Sequence, residues 1–444
     1  MCTSTLHIRP KSLLGMSYDV PCGNCLECRS LSQNSWVTRL GFDLKDLYDN
    51  GGVAVFLTFT YNDKCLPLSS FLSHDVIPCF SREDVFGFLN QLKVLVNRRY
   101  GKGMYNYFLC SEYGKFTKRP HYHGLFMLKP GVDSTWFSET CRKIWHYGFM
   151  FPRFKNGRYI DNDGAATSVE LRNLNAACKY VSKYITKDID YYELPQIKHY
   201  LDERENLDED SRKFYNGFLP RHYQSKGIGS SLLKNGCDAD TLLGYVKNGI
   251  YNPTTCKMDS LPRYYVEKLC FDHHRIVVDG QPKVLRSLNP SYSDVMKEVH
   301  RQSFVTKIQQ VRNFNHNVNL NVFINHGYSS SDFNRFIYIQ NNYTPENLVL
   351  WRWYDRLTAE SKQLFYVLDY DGINLDNLVN FRVDLYTLCV DTFISKFVDK
   401  NEDVAWYMNI FDKITKHDRA IANEQRYNDY LRVKKLKLSK KHLL

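Results

Sequence analysis

No stretch of the 444-residue sequence holds 18 consecutive apolar residues, so a membrane-spanning helix is not expected. Residues 1–15 lack the apolar core of a secretory signal peptide. No G-x-x-x-x-G-K-S/T motif occurs, which argues against a P-loop motor. The 13 cysteines are odd in number and scattered, unlike a disulfide framework. Together these absences predict a cytoplasmic protein with reduced thiols. Acidic residues also fall short: 48 Asp and Glu face 59 Lys and Arg, a net charge of +11. Excess base suits a polyanionic partner. Aromatic residues, at 15%, are plentiful and interleave with Lys and Arg, as single-stranded nucleic acid requires when its bases stack on rings.

The N-terminus carries Cys22-x2-Cys25-x2-Cys28, a metal-ligand spacing. A structural Zn²⁺ needs a fourth ligand, which Cys2 or His7 could supply. Ser32 stands where an iron–sulfur pattern would place its next cysteine. Residues 30–49 read as a helix with Trp36, Val37, Leu40, Leu44 and Leu47 on one side. Residues 53–60 form a short apolar run rich in β-formers, hence a buried strand. Ser81-Arg82-Glu83-Asp84 reads as a capping box opening a helix, with Val85, Phe86, Leu89, Leu92 and Leu95 inward.

Two strands follow, 105–112 and 121–128, around a Gly-, Lys- and Pro-bearing loop. Pairing Glu112 with His121 in an antiparallel hairpin places Cys110 opposite His123. Alternation then puts Glu112, His121, His123, Leu125 and Met127 on one face, with Tyr122 on the other. Two imidazoles and a carboxylate suit a divalent ion such as Mn²⁺ or Mg²⁺ with positions left for phosphate oxygens. Residues 134–146 read as a helix and 149–167 as a polar strand or loop.

A helix over about residues 168–190 buries Leu171, Leu174, Cys178, Val181 and Ile185. Its other side presents Tyr180, Tyr184, Lys183 and Lys187. A phenol is a weak nucleophile, but a neighbouring cation, or a metal on the electrophile, makes attack on phosphate reasonable. The order of elements predicts an α+β fold: a ferredoxin-like antiparallel palm with helices on one side. Lys226-Gly227-Ile228-Gly229-Ser230-Ser231 is a small-residue loop whose amides could hold a phosphate or merely turn the chain. Leu261-Pro262-Arg263-Tyr264-Tyr265 joins base to aromatics. From about residue 271 the chain reads as helical, ending in a basic tail at 432–441 that could contact DNA phosphates. Four regions are expected: a Cys-rich segment and helix at 1–50, the catalytic domain at 51–200, an accessory basic and aromatic region at 201–270, and a helical extension at 271–444.

Glu112, then Arg119-Pro120-His121-Tyr122-His123-Gly124, then Tyr180-x3-Tyr184 with Lys183 and Lys187, resembles the HUH endonuclease superfamily. The pattern looks most like the two-tyrosine replication initiators of Microviridae. The Cys22–Cys28 cluster, Leu57-Thr58-Phe59-Thr60, the loop at 226–229 and residues 261–265 are similar to gokushovirus-like members. The likeness spans about residues 1–270; a second, to filamentous-phage replication proteins, spans about 53–190. The resemblance implies rolling-circle initiation in the cytoplasm of an infected bacterium. The origin strand is nicked, its 5′ phosphate is held on one tyrosine, and a second tyrosine cuts the regenerated origin. It also implies viral origin DNA, single-stranded or supercoiled, a host helicase and a host DNA polymerase as partners, with no membrane involved. Two other functions fit the residues: a plasmid or transposon nickase of the same superfamily, and a non-catalytic, zinc-containing single-stranded nucleic-acid-binding protein.

Overall fold

The computed structural model describes residues 6–8, 18–21, 23, 25–70, 76–114, 119–161, 163–171, 173–174, 177, 206–216, 219–234, 236–253, 255–278, 280–355, 357, 359–370, 372–387 and 402–441. The chain forms two units, one of Ser30–Cys237 with Ile250–Pro262, the other of Met1–Arg29, Asp238–Gly249 and Arg263–Leu444. Among the described residues no helix is long and apolar enough to cross a membrane.

The first unit is built on an antiparallel sheet. Helix α1 (Leu26–Asp49) enters it and strand β1 (Val53–Tyr61) follows. Then come α2 (Arg82–Tyr100), β2 (Tyr105–Tyr113), β3 (Pro120–Leu128), α3 (Ser134–Ile144), β4 (Gly148–Phe151), β5 (Glu170–Leu171) and β6 (His222–Gln224). The strands lie in the order β5-β1-β3-β2-β6, with β4 also pairing β1. This is the expected antiparallel palm.

Alternation along the strands gives the sheet two apolar faces. Leu57, Phe59, Tyr122 and Phe126 pack on one face against α2 and α3. Phe108, Leu125 and Met127 pack on the other against Trp36, Leu40 and Leu44 of α1. The pair α2 and α3 forms the expected one-sided helical layer, and α1 adds a second layer opposite.

Ser81 caps α2 as expected, its hydroxyl accepting from the Asp84 amide at 3.1 Å. The inward face differs from expectation: Val85, Phe88, Leu89, Leu92 and Val96 are buried, whereas Phe86 and Leu95 are exposed. The buried set keeps the i, i+3, i+4, i+7 spacing of a single helical stripe, which Phe86 and Leu95 break. Phe86 instead meets the edge of Tyr223, centroids 5.8 Å apart.

Beyond residues 1–29, the second unit contains α4 (Ala239–Asn248) and α5 (Arg263–Cys270). A hairpin of β7 (Phe271–Val278) and β8 (Gln281–Leu288) follows, where helix was expected. Gly280 turns it with φ +73°. Seven helices complete the described part: α6 (Ser293–Asn317), α7 (Leu320–Asn325), α8 (Ser330–Asn342), α9 (Pro345–Asp355), α10 (Ala359–Val367), α11 (Leu375–Thr387) and α12 (Glu402–Lys441). Their shared core includes Phe323, Phe336, Leu378, Phe381, Tyr407 and Ile414, all fully buried.

His300 on α6 is buried within this unit. Burial, then the charges of Arg382, Arg286, Lys307 and Arg263, push its pKa down to about 2. The unfolded imidazole takes up a proton below pH ~6.5, while the folded one stays neutral. Stability is therefore lost as pH falls below that value, by about 1.4 kcal/mol per pH unit from this group. The urea midpoint of the second unit is expected to drop between pH 7 and pH 5. In His300→Gln the slope is expected to flatten, whatever the variant's stability at neutral pH.

Candidate active site on the sheet

The hairpin of β2 and β3 has the register expected from the residues: Glu112 pairs with His121 and Cys110 with His123. Glu112, His121 and His123 therefore share the face covered by α1, and Tyr122 points to the α2 side. His123 and Glu112 are only 7% and 8% exposed. Nε2 of His123 lies 2.7 Å from Oε2 of Glu112. Its Nδ1 lies 2.9 Å from the Thr58 hydroxyl, supplied by β1, which pairs Thr58 with His123. The Phe56 ring stacks nearly parallel to the imidazole, 6.0 Å away. A hydroxyl on one nitrogen and a carboxylate on the other hold this ring in one orientation.

His121 is half-buried at the hairpin end. Its Nδ1 is 3.0 Å from the Pro120 carbonyl oxygen. A carbonyl only accepts, so Nδ1 carries the hydrogen and Nε2 keeps the lone pair. The two imidazole centroids are 6.4 Å apart and perpendicular. Gly114 permits the close turn here, since a Cβ at that position would sit 3.2 Å from Nε2 of His121. The turn is closed by the Gly114 amide donating to Arg119 O at 2.8 Å. The Arg119 guanidinium donates to Tyr61 O at 2.7 Å and pairs with Asp63. Two imidazoles and one buried carboxylate, brought to one face by strand register, are the residue types of a divalent-cation site, although their donor atoms do not all lie within 4.8 Å of one another here. The close His123–Glu112 approach also gives the carboxylate a second use, as a charged neighbour that orients the ring.

Tyr61 and Tyr122 lie buried on the opposite face of the sheet. Burial pushes both well above the usual phenol range. Tyr61 donates to Asp84 at 3.0 Å and Tyr122 to Ser81 O at 3.2 Å.

Two neighbours of the site were not expected from the sequence: Thr58 as the partner of His123, and His222. Strand β6 pairs His222 with Cys110, one strand beyond His123. The His222 ring packs against Trp36 and Phe108, with centroids 5.0 and 5.4 Å away. Desolvation by these rings, and then the charge of Arg39, lower its pKa, although the residue as a whole is exposed at the sheet edge.

The loop at 226–231 holds an anion, but an internal one. The amides of Gly229 and Ser231 and the Ser231 hydroxyl all donate to the Asp43 carboxylate of α1, the latter two at 3.0 and 2.6 Å. Arg39, one turn earlier, donates to Ile228 O at 3.0 Å. Gly229 has φ +78°, and a Cβ there would lie 2.6 Å from Nε of Arg39. The donors that could have taken a phosphate thus pin α1 over the sheet. Asp43→Ala would leave three buried donors without this acceptor, at about 1–3 kcal/mol each. We expect the melting temperature of the first unit to fall by several degrees, read by differential scanning calorimetry, with Asp43→Asn falling less.

Tyr180, Tyr184, Lys183 and Lys187 lie outside the described residues, as do Cys2 and Cys22. Residues 170–171, placed in the expected helix from 168, instead form the edge strand β5 against Val55 and Ala54. Cys25 immediately precedes α1, and Cys28 is buried in its first turn. His7 sits opposite Asp19 in a short ribbon of Leu6–Ile8 and Tyr18–Val20. Tyr264 and Tyr265 lie on α5, with Tyr265 fully buried. The basic residues at 432–441 continue α12.

No curated protein and no solved structure matches the chain. Residues 54–189, less than a third of its length, match the replication-associated protein family of the ORF2 type, and that match supports a replication initiator.

Proposed function

We propose that the protein starts rolling-circle replication of a circular single-stranded DNA genome of the Microviridae kind. It would nick one strand at the origin, stay joined to it, and later rejoin the unit-length strand. The observation that carries this reading is the placement of Glu112, His121 and His123 on one sheet face, with His123 against Glu112, inside the span that matches the replication-associated family.

Tyr180 and Tyr184 are the proposed nucleophiles. The phenol oxygen attacks the scissile phosphorus and loses its proton. A tyrosine O–P bond forms, the P–O3′ bond breaks, and the departing 3′ oxygen takes up a proton to become a primer hydroxyl. A Mn²⁺ or Mg²⁺ ion bound by Glu112, His121 and His123 would polarise the scissile phosphate. Thr58 holds the His123 ring in place for that task. Lys183 and Lys187 would steady the phosphate's charge or ease loss of the phenol proton. Four residues along a helix is about one turn, so the two phenols could take alternate turns at one site. Reversal of the same step, with a 3′ hydroxyl attacking the phosphotyrosine, closes the circle.

A structural Zn²⁺ on Cys22, Cys25, Cys28 and Cys2 forms part of the proposal. So do the origin DNA, a host helicase and polymerase, and action in the cytoplasm of an infected bacterium. A capsid gene beside the coding sequence would separate a phage initiator from a plasmid or transposon nickase. The direct test is conversion of a supercoiled plasmid bearing the candidate origin to open circles. The reading predicts nicking with Mn²⁺ or Mg²⁺ and none with chelator; tight binding without nicking under any divalent metal would contradict it.

A further inference from the structure

The second unit brings together metal-type donors of its own. Helix α7 ends at His326, whose Nδ1 lies 2.7 Å from the Val322 carbonyl oxygen one turn back. That carbonyl accepts, so Nδ1 bears the hydrogen and Nε2 carries the lone pair. Nε2 points at α12, where it meets Nδ1 of His417 at 3.2 Å and Oδ1 of Asp418 at 3.6 Å. The third side of the triangle, His417 Nδ1 to Asp418 Oδ1, is 3.8 Å. The two imidazoles are nearly perpendicular, 82° between planes, so their nitrogens converge without the rings colliding.

These separations match the size of an ion. A point equidistant from the three atoms lies about 2.1 Å from each, within the ~2.0–2.2 Å range of zinc bonds to imidazole nitrogen and carboxylate oxygen. Donors around a tetrahedral ion at that distance stand roughly 3.4 Å apart, close to what is observed. The backbone carbonyl on Nδ1 of His326 is the kind of outer partner that fixes a ligating tautomer. Among the described residues this is the one group of three or more His, Cys, Asp or Glu side chains whose donor atoms all fall within 4.8 Å of one another.

We propose that His326, His417 and Asp418 form a site for a divalent transition ion of the zinc class. Three protein ligands leave the fourth position to water. Two nitrogens and one oxygen favour Zn²⁺, Co²⁺ or Ni²⁺ over Ca²⁺ or Mg²⁺, which prefer all-oxygen shells. His417 and Asp418 are each 60% exposed, so the ion exchanges with solvent and binds less tightly than in a closed structural site. The site sits one turn beyond Ile414, which is fully buried in the core. Past it, α12 turns outward-facing, with Ile421 exposed. A bound ion would thus tie one further turn of this 40-residue helix to α7, towards its basic end.

The test uses the full chain, stripped with chelator and dialysed into metal-free buffer, with Zn²⁺ alone as the probe. Equilibrium dialysis would count bound ions in the wild type, in His417→Ala and in Asp418→Asn, with circular dichroism as the check on folding. Both substitutions fall at exposed positions, and neither removes the His326 ring that caps α7. The wild type is expected to hold one equivalent more than His417→Ala, and Asp418→Asn to bind that equivalent at least about tenfold more weakly. Equal stoichiometry and affinity in all three proteins would overturn the proposal, even if zinc binds elsewhere in the chain.

Discussion

His123→Ala is expected to reduce metal-dependent cleavage of origin DNA on the order of 10³-fold while leaving DNA binding within about threefold. The imidazole is buried, held by Thr58 on one nitrogen and facing Glu112 at 2.7 Å on the other. Along β3 the next residues on that face are Leu125 and Met127, which carry no imidazole. If the residue acts at the proposed reacting centre, the loss should appear in the cleavage rate and not in the DNA dissociation constant. Glu112→Gln separates the two uses of the carboxylate. A ligand role predicts a large rise in the Mn²⁺ concentration needed for half-maximal cleavage. A ring-aiming role predicts a small one, since the amide oxygen still faces the ring. Unchanged nicking by His123→Ala would remove the His-Tyr-His strand from the chemistry.

Tyr180→Phe combined with Tyr184→Phe is expected to abolish strand cleavage, a loss on the order of 10⁶-fold, as removal of a nucleophile typically gives. Each single change is expected to leave partial activity, because either phenol could serve one nick. The alternating scheme then predicts a sharper split: single variants nick but fail to release closed unit-length circles. Total and equal loss of the first nick from both single changes would contradict alternation. Full activity in the double variant would contradict covalent catalysis by these tyrosines.

Much of the sheet was legible because its period is two and its faces differ. One assumed pair, Glu112 with His121, placed Cys110 against His123 and turned Tyr122 away, as the strands do. The site's polar neighbours were less legible. Thr58 reaches His123 across β1, and His222 arrives on a strand about 100 residues later; such pairings depend on sheet order, which local periodicity does not encode. The stripe on α2 was shifted because Phe86 and Leu95 are apolar but lie off the buried arc. The small-residue loop at 226–231 carried a genuine anion-binding signal, yet Asp43, nearly 190 residues earlier, answers it. The hairpin of β7 and β8 did have a local sign, Asp279-Gly280 between two β-rich runs, a pair favoured in two-residue turns. The edge strand at 170–171 had one too: Ser168-Val169-Glu170-Leu171 alternates as an edge strand does.

The proposed chemistry stands on a covalent protein–DNA intermediate formed at a metal-dependent site. The most direct measurement incubates the full chain with single-stranded DNA carrying the candidate origin, with Mn²⁺ and separately with chelator. Denaturing electrophoresis then detects an adduct, and mass spectrometry locates it. A metal-dependent adduct on Tyr180 or Tyr184 is expected, and its position would also name the first nucleophile. Efficient DNA binding with no adduct under any divalent metal, or an adduct on another residue, would contradict it.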